Sequence, residues 1–292
     1  MVKTYMKKII RKIVRKLIGA KDYETIDDAI VRRKLTLLKK VNNKNFNIKD
    51  FENALISMGL QNGDCLIVHA SWRSFIGFTG KPEDIIESII KIIGPTGTLI
   101  MPCYGINNNE FHYYEPSKAG IISEKFRQKK GTVRSLNSIF SMCAYGKYSK
   151  ELTDTHIDSK YCFDEKSPYF KAIEKKAKIL LLGLGKKPHK ITLFHCVTYS
   201  LRNQLDCYKN VYTLEKNVKI YDETGKKIEK VIIDRQKKFQ NNKKKFRKLF
   251  LQFKKQLKYM KINKMDIYLF ESKQIYVLSK KYIMDHKYNL YK

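Results

Sequence analysis

The pattern of the chain predicts an α/β fold, with helices laid on a parallel or mixed sheet. Three observations carry that reading. An apolar run, Cys65–His69, stops at a polar, glycine-containing loop, "SWRSFIGFTG". Next comes "PEDIIESIIKIIG", with Ile85, Ile86, Ile89, Ile90 and Ile93 at helical spacing, and "GPTGTLIMPCY" then reads as a turn and a second strand. Strand, helix and strand in that order favour a right-handed crossover and a sheet covered by helices. Finally, "KAKILLLGLG", Lys176–Gly185, is an apolar run closed by Gly-Leu-Gly and reads as a buried strand.

The remaining elements follow in order. Tyr5, Met6, Ile9, Ile10, Ile13, Val14, Leu17 and Ile18 form one face of a predicted helix over 3–18, with basic residues opposite and Gly19 as its cap. Such a helix suits an anionic bilayer, its own domain or a partner subunit. A second helical segment, 24–40, leads to the polar stretch Asn42–Asn47, so 1–45 reads as a helical extension and 46–292 as the main domain. "NIKDFENALISMGL" has helical spacing and ends at Gly59. Downstream, "GIISEKFRQKKG" reads as a short helix, "SIFSMCAYG" as a strand and "TLFHCVTYSLRNQL" as a helix or tight turn. Residues 211–221 and 226–233 read as a hairpin around "DETG". Residues 244–260 read as one basic helix with Phe246, Leu249, Phe250, Phe253 and Leu257 on one face, and "IYLFESKQIYVLSKKYIMDH" as strand then helix.

Composition narrows the function. The chain has 292 residues, 43% hydrophobic, and a formal charge of +32. Residues 1–45 carry fourteen Lys/Arg against four acids, and 235–264 carry thirteen against none. A field of that sign draws anionic ligands and surfaces and repels polycations. No apolar run approaches the ~20 residues of a membrane span, and the start lacks the apolar core of a signal peptide. The expected location is therefore the cytoplasm, with residues 3–18 able to rest on the inner membrane face. Six cysteines (65, 103, 143, 162, 196, 207) are scattered without a CxxC pair and read as reduced and structural. No zinc pattern and no nucleic-acid motif appears. "LLGLG" lacks the third glycine of a dinucleotide fingerprint.

Six phrases occur in order: "IVHASWRSFIGFTG", "IIKIIGPTGTLIMPCY", "GIISEKFRQKKGTVRS", "SPYFKAI", "KILLLGLG" and "TLFH". Together they resemble the aminoglycoside 3-N-acetyltransferase family, the antibiotic N-acetyltransferases distinct from the GNAT fold, over about residues 47–292. The resemblance implies a three-layer α/β/α architecture around a central mixed sheet. It also implies direct transfer of an acetyl group from acetyl-CoA, the expected co-substrate, to an amine, without a metal and without a covalent enzyme intermediate. The first strand's loop would then handle acetyl-CoA. Ser71, Ser74 and backbone N–H groups would meet its pantetheine and phosphates, and Gly77 and Gly80 would allow close approach. Arg73 adds charge, and Trp72 stacks on the cofactor or covers the core.

Amide formation from a thioester needs a base for the amine, a donor for the oxygen that gains charge, and a place for the thiolate to leave. His195, in "TLFH", matches the family's active-site histidine, and an imidazole suits a general base near neutral pH. Thr192, one helical turn earlier, would bond the thioester or hold His195 in place. His156 sits where the family keeps a histidine and would contact the acceptor or orient a loop. Arg134 and Ser135 match an Arg-Ser/Thr pair, with Arg134 meeting cofactor phosphate or an internal acid. His69 is expected to pack beneath the loop, and Arg127 to be structural.

Two positions depart from the family pattern. Where the family has R-S-x-H-P, this chain has "RSLNS", with Asn137 for histidine and Ser138 for proline. Three residues after His195, Thr198 replaces a glutamate whose charge suits a polycationic antibiotic. That loss, the +32 charge and the basic helix point to an anionic acceptor, such as a nucleotide-linked amino sugar of surface-glycan synthesis, near Asn137, His156 and Thr198. The alternatives are an aminoglycoside 3-N-acetyltransferase conferring antibiotic resistance, and an inactive relative binding membrane or, less expected, nucleic acid through its basic segments.

Overall fold

A computed structural model describes residues 13–20, 26, 29, 30, 33, 34, 36, 37 and 44–292 apart from 108, 185 and 186. Of the predicted helix 3–18, residues 13–17 are helical, Ile18 is already in the turn that follows, and 3–12 lie outside the described residues. Most of the predicted helix 24–40 also lies outside them. No helix among the described residues is long and apolar enough to cross a membrane.

Local signals set the first elements. Helix α1 (Ile48–Ser57) starts where the Asn47 side chain accepts from the N–H groups of Lys49 and Asp50, while Asp50 accepts from Asn47. That reciprocal cap satisfies donors a helix start otherwise leaves open. Strand β1 (Cys65–Ala70) follows, then α2 (Pro82–Ile93), which has proline in its first turn and Gly94 at φ +65° just past its end. Next come β2 (Thr98–Pro102), β3 (Glu110–His112), α3 (Ile121–Gln128), β4 (Val133–Arg134), β5 (Met142–Gly146), α4 (Ser149–Thr153), α5 (Pro168–Glu174) and β6 (Lys178–Leu182). After β6 the chain forms α6 (Thr192–Ser200), α7 (Asp206–Lys209), β7 (Leu214–Tyr221), β8 (Lys227–Asp234), α8 (Lys243–Gln252), β9 (Lys258–Ile262), β10 (Met265–Glu271) and α9 (Ser272–Asp285).

The main sheet runs β4-β5-β2-β1-β6-β10-β9. Strands β2 and β6 flank β1 in parallel, and the outer strands pair antiparallel, so the sheet is mixed. Side chains alternate between its faces with the period of two that a pleat imposes. Leu66, Val68, Leu99, Met101, Leu180 and Leu182 enter one core, with α1, α2 and α3. Ile67, Ile100, Ile179 and Leu181 enter the other, with α4 to α6, α8, α9 and the β7–β8 hairpin. Two cores on opposite faces of one sheet make the expected three layers.

The hairpin forms as predicted, with the Asp222 carboxylate accepting from Thr224 and Lys226 at its turn. The predicted helix 244–260 is a correction. It ends at Gln252, and residues 258–262 form edge strand β9, paired with β10 from Lys258↔Leu269 to Ile262↔Met265. The lysines read as a helix's polar face here line a sheet edge, where they discourage pairing with another chain. The predicted strand "SIFSMCAYG" is shorter than expected, because Asn137 Oδ1 accepts from the N–H groups of Ile139 and Phe140 and holds a turn.

Candidate active site

The carboxyl ends of β1, β2 and β6 open onto a cleft of about 1070 Å³. Because β2 and β6 lie on opposite sides of β1, the chain's connections diverge there, which is where open α/β sheets bind ligands. Ser71 N–H donates to the Leu182 carbonyl (2.9 Å), tying the β1 and β6 loops together. Trp72–Ser74 form one tight turn, and the Ser74 hydroxyl donates to the Gly183 carbonyl (3.2 Å). Only glycine fits at 183: its φ is +73°, and a Cβ would lie 2.2 Å from that of Ser74. Trp72 stacks on Phe75 at 5.1 Å and meets Phe78 edge-on, so it covers the core while it lines the cleft.

Thr192 and His195 sit one turn apart on α6 and line the same cleft. The His195 ring is partly exposed, stacked between Phe163 (5.8 Å) and Tyr291 (6.4 Å), with Phe246 at 5.6 Å. Its Nδ1 lies 3.2 Å from the Tyr291 hydroxyl. Burial, and the nearby Arg235 cation, push its pKa down to about 3. The imidazole is therefore neutral near pH 7, the form a base must have. Tyr104 also lines the cleft.

Ser71, Trp72, Arg73, Ser74, Thr192 and His195 thus share one cavity. Gly77, Arg134, Ser135, Asn137, His156 and Thr198 do not line it. Gly77 takes φ +84° and accepts from Phe46 N–H, serving the fold. Among the described residues Arg134 forms no ion pair. Its guanidinium is buried and donates to the carbonyls of Cys103, Tyr113 and Glu115, over the Phe111 ring. Ser135 Oγ accepts from Met142 N–H and lies 2.8 Å from His156 Nδ1, and both residues are buried. Burial, with Lys230 and Lys171 nearby, lowers the His156 pKa to about 3. Asn137 holds a turn, and Thr198 lies in the core beside Tyr212 and Tyr291.

His69 packs beneath the loop as expected, with Nε2 3.2 Å from the Tyr169 hydroxyl, and also touches the cleft. Arg127 pairs with Glu124 at 2.7 Å, a structural role. The sequence reading missed Tyr104 and Lys118, although the rule that ligands sit beyond strand ends would have flagged Tyr104 just past β2. It also missed Tyr291 and Tyr212, which no local pattern connects to His195. The cleft's charged lining is mostly cationic, with Arg73, Lys118, Lys187, Lys190 and Lys264 against Asp266. All six cysteines are thiols, and among the described residues no three His, Cys, Asp or Glu side chains converge as metal ligands.

The chain is similar to known proteins. The family described as aminoglycoside 3-N-acetyltransferase matches residues 67–284. Aminoglycoside N(3)-acetyltransferase IV from Salmonella sp is 28% identical over 138 residues, covering 45% of this chain and 51% of that protein. The chain thus matches about half the length of that curated relative. Among solved structures, AAC-IIIb in binary complex with CoASH superposes with a TM-score of 0.72 at 19% identity, over 83% of this chain and 98% of that one. AAC-VIa bound to sisomicin superposes with a TM-score of 0.71 at 15% identity, over 83% and 99%. These two similarities establish the fold.

Proposed function

The chain belongs to the aminoglycoside 3-N-acetyltransferase family, and from that premise we propose that it transfers the acetyl group of acetyl-CoA to an amino group of an aminoglycoside-type sugar. The observation that carries this reading is the placement of His195 beside Thr192, both lining a cleft at the carboxyl ends of β1, β2 and β6. A volume of about 1070 Å³ is at the upper end of the roughly 300–1000 Å³ that holds a drug-sized ligand, enough for pantetheine and an acceptor. The lysines and Arg73 on the lining suit the phosphates of CoA.

In the proposed reaction the amine nitrogen attacks the thioester carbon. The new N–C bond forms as the C–S bond breaks, and His195 takes the proton that the amine sheds. Thr192 donates to the thioester oxygen as it gains charge. The thiolate leaves and is reprotonated as CoASH, by His195 or solvent.

A second reading, an anionic acceptor such as a nucleotide-linked amino sugar of surface-glycan synthesis, is favoured by one observation. The charged lining is almost wholly cationic, which suits an acidic acceptor better than a polycation. The family match supports the aminoglycoside. Peripheral contact of residues 3–18 with an anionic bilayer belongs to this second reading, supported by Ile13 and Leu17, which are exposed on the described helical turn.

Thiol release from acetyl-CoA tests these readings, with sisomicin and a nucleotide-linked amino sugar as separate acceptors and His195→Ala beside the wild type. The expected result is release only with an acceptor, reduced at least about 100-fold in the variant. The preferred acceptor separates the two readings. Undiminished turnover in His195→Ala would remove His195 as base.

A further inference from the structure

Three hydroxyls gather beside His195, outside the residues that line the cleft. Thr198 Oγ1 lies 2.7 Å from the Tyr212 hydroxyl and 2.9 Å from that of Tyr291, and the two tyrosine oxygens are 2.9 Å apart. Thr198 and Tyr212 also reach the His195 carbonyl, at 3.1 and 3.2 Å, where they can only donate. Tyr291 alone among the three meets the imidazole, at Nδ1. It is brought there from far along the chain by an antiparallel bridge to Asn241, flanked by hydrogen bonds Asn242 N–H to Leu290 O and Lys292 N–H to Gln240 O (both 2.9 Å).

The protons decide which way this network runs. Three hydroxyl protons cannot fill six contacts, and the carbonyl oxygen has no proton to give. A chain in which Nδ1–H donates to Tyr291, Tyr291 to Thr198, Thr198 to Tyr212 and Tyr212 to the His195 carbonyl uses every proton and ends on an acceptor. With the proton on Nε2 instead, one contact fewer is filled within this network, and the competing partner for that proton is the backbone of His189.

We propose that Tyr291 is the positioning residue of His195: its oxygen accepts the Nδ1 proton and holds the imidazole in the tautomer with a bare Nε2. The hydroxyl ring thereby takes the part of a carboxylate, at the helix position where Thr198 stands. The inference rests on His195 being the base. When Nε2 takes the amine's proton, Nδ1–H keeps its partner, and the aligned hydroxyl dipoles run from the charged imidazole to the carbonyl. Hydroxyls orient without supplying a counter-charge, and the charged group facing both rings is Arg235, 5.2 Å from that of Tyr291. His189 also faces His195, through its backbone and its ring. This surrounding fits the depressed basicity of His195.

The test reads the tautomer directly, by nitrogen NMR of the imidazoles in the full chain, with His195→Gln to assign the signal. The wild type is expected to show a protonated Nδ1, and Tyr291→Phe a mixture of both tautomers. With sisomicin and acetyl-CoA, kcat in Tyr291→Phe should fall about tenfold while the KM for acetyl-CoA stays within about twofold. Thr198→Val, which leaves both rings in place, should shift the tautomer ratio less, and it carries the test if Tyr291→Phe does not fold. A protonated Nε2 in the wild type, or an unchanged signal in the variants, overturns the proposal. Full turnover in His195→Gln would instead overturn the assignment of the base, and the NMR result would still stand.

Discussion

The two faces of the central sheet are built from different materials. The face covered by α1, α2 and α3 is mostly aliphatic, packing Ile85, Ile86, Ile89 and Ile93 of one helix against Leu66, Val68 and Leu99, with phenylalanines such as Phe51 and Phe126 among them. The opposite face is aromatic, with Tyr169, Tyr208, Tyr212, Tyr291, Phe194, Phe246 and Phe250 in its core. It also takes in the buried polar groups, His156, Thr192 and Thr198 among them. Aliphatic side chains need only shape and exclusion of water. Tyrosines carry a hydroxyl that must be paired when buried, so they tie distant segments into polar networks. One face supplies stability, and the other surrounds His195 with oriented donors and acceptors.

The contrast can be broken most forcefully on the aliphatic side. Ile89→Ala, at a fully buried position, should cost about 3 kcal/mol of stability, seen by chemical denaturation, while kcat per folded molecule stays unchanged. A drop in kcat without a stability loss would show that the faces are not functionally separate.

Proton linkage sharpens the contrast next. His69 and His156 pack in or beside the aromatic face, while the aliphatic core holds no histidine. Burial lowers their pKa to about 4 and about 3. Once unfolded, each takes a proton near its ordinary value of 6.5. Between those values the unfolded state binds more protons. Stability is thus complete above pH 6.5 and falls as pH drops toward 3, by at most about 1.4 kcal/mol per pH unit for each histidine. Denaturation at stepped pH should show this slope, and His156→Gln should flatten it. A slope untouched by that change would place the acid sensitivity elsewhere.

The smallest effect belongs to the rim. Lys187→Glu together with Lys190→Glu should raise the KM for acetyl-CoA about threefold at low salt and less at high salt, since exposed charges are screened. An equal effect at all salt concentrations would argue against an electrostatic contribution.

Much of the aliphatic face was legible in the chain. The isoleucine spacing of α2, the Asn47 cap and the apolar runs of β1 and β6 are local signals, each complete within a dozen residues. The phrases from "IVHASWRS" to "TLFH" brought the 71–74 loop, Thr192 and His195 to the cleft. The failures have one cause. Residues 254–262 keep an amphipathic rhythm that fits a helix, yet the open edge of β10 offers strand pairing that α8 cannot extend to meet. Arg134 sits in a phrase suited to phosphate binding, but three carbonyls converge on it only after the chain folds.

Order, period and residue type therefore sufficed for the α/β class, and the six quoted phrases for the family and for His195 as the candidate base. They could not show that a tyrosine 96 positions away would stand at His195 Nδ1, or that Thr198 would join it. Periodicity reports how a segment meets its own neighbours. The surroundings of His195 come from α6, α8, Phe163, Tyr212 just ahead of β7, and Tyr291 near the end of the sequence, meeting across one layer. Only their packing decides which hydroxyl reaches which nitrogen, and how far burial lowers its affinity for a proton.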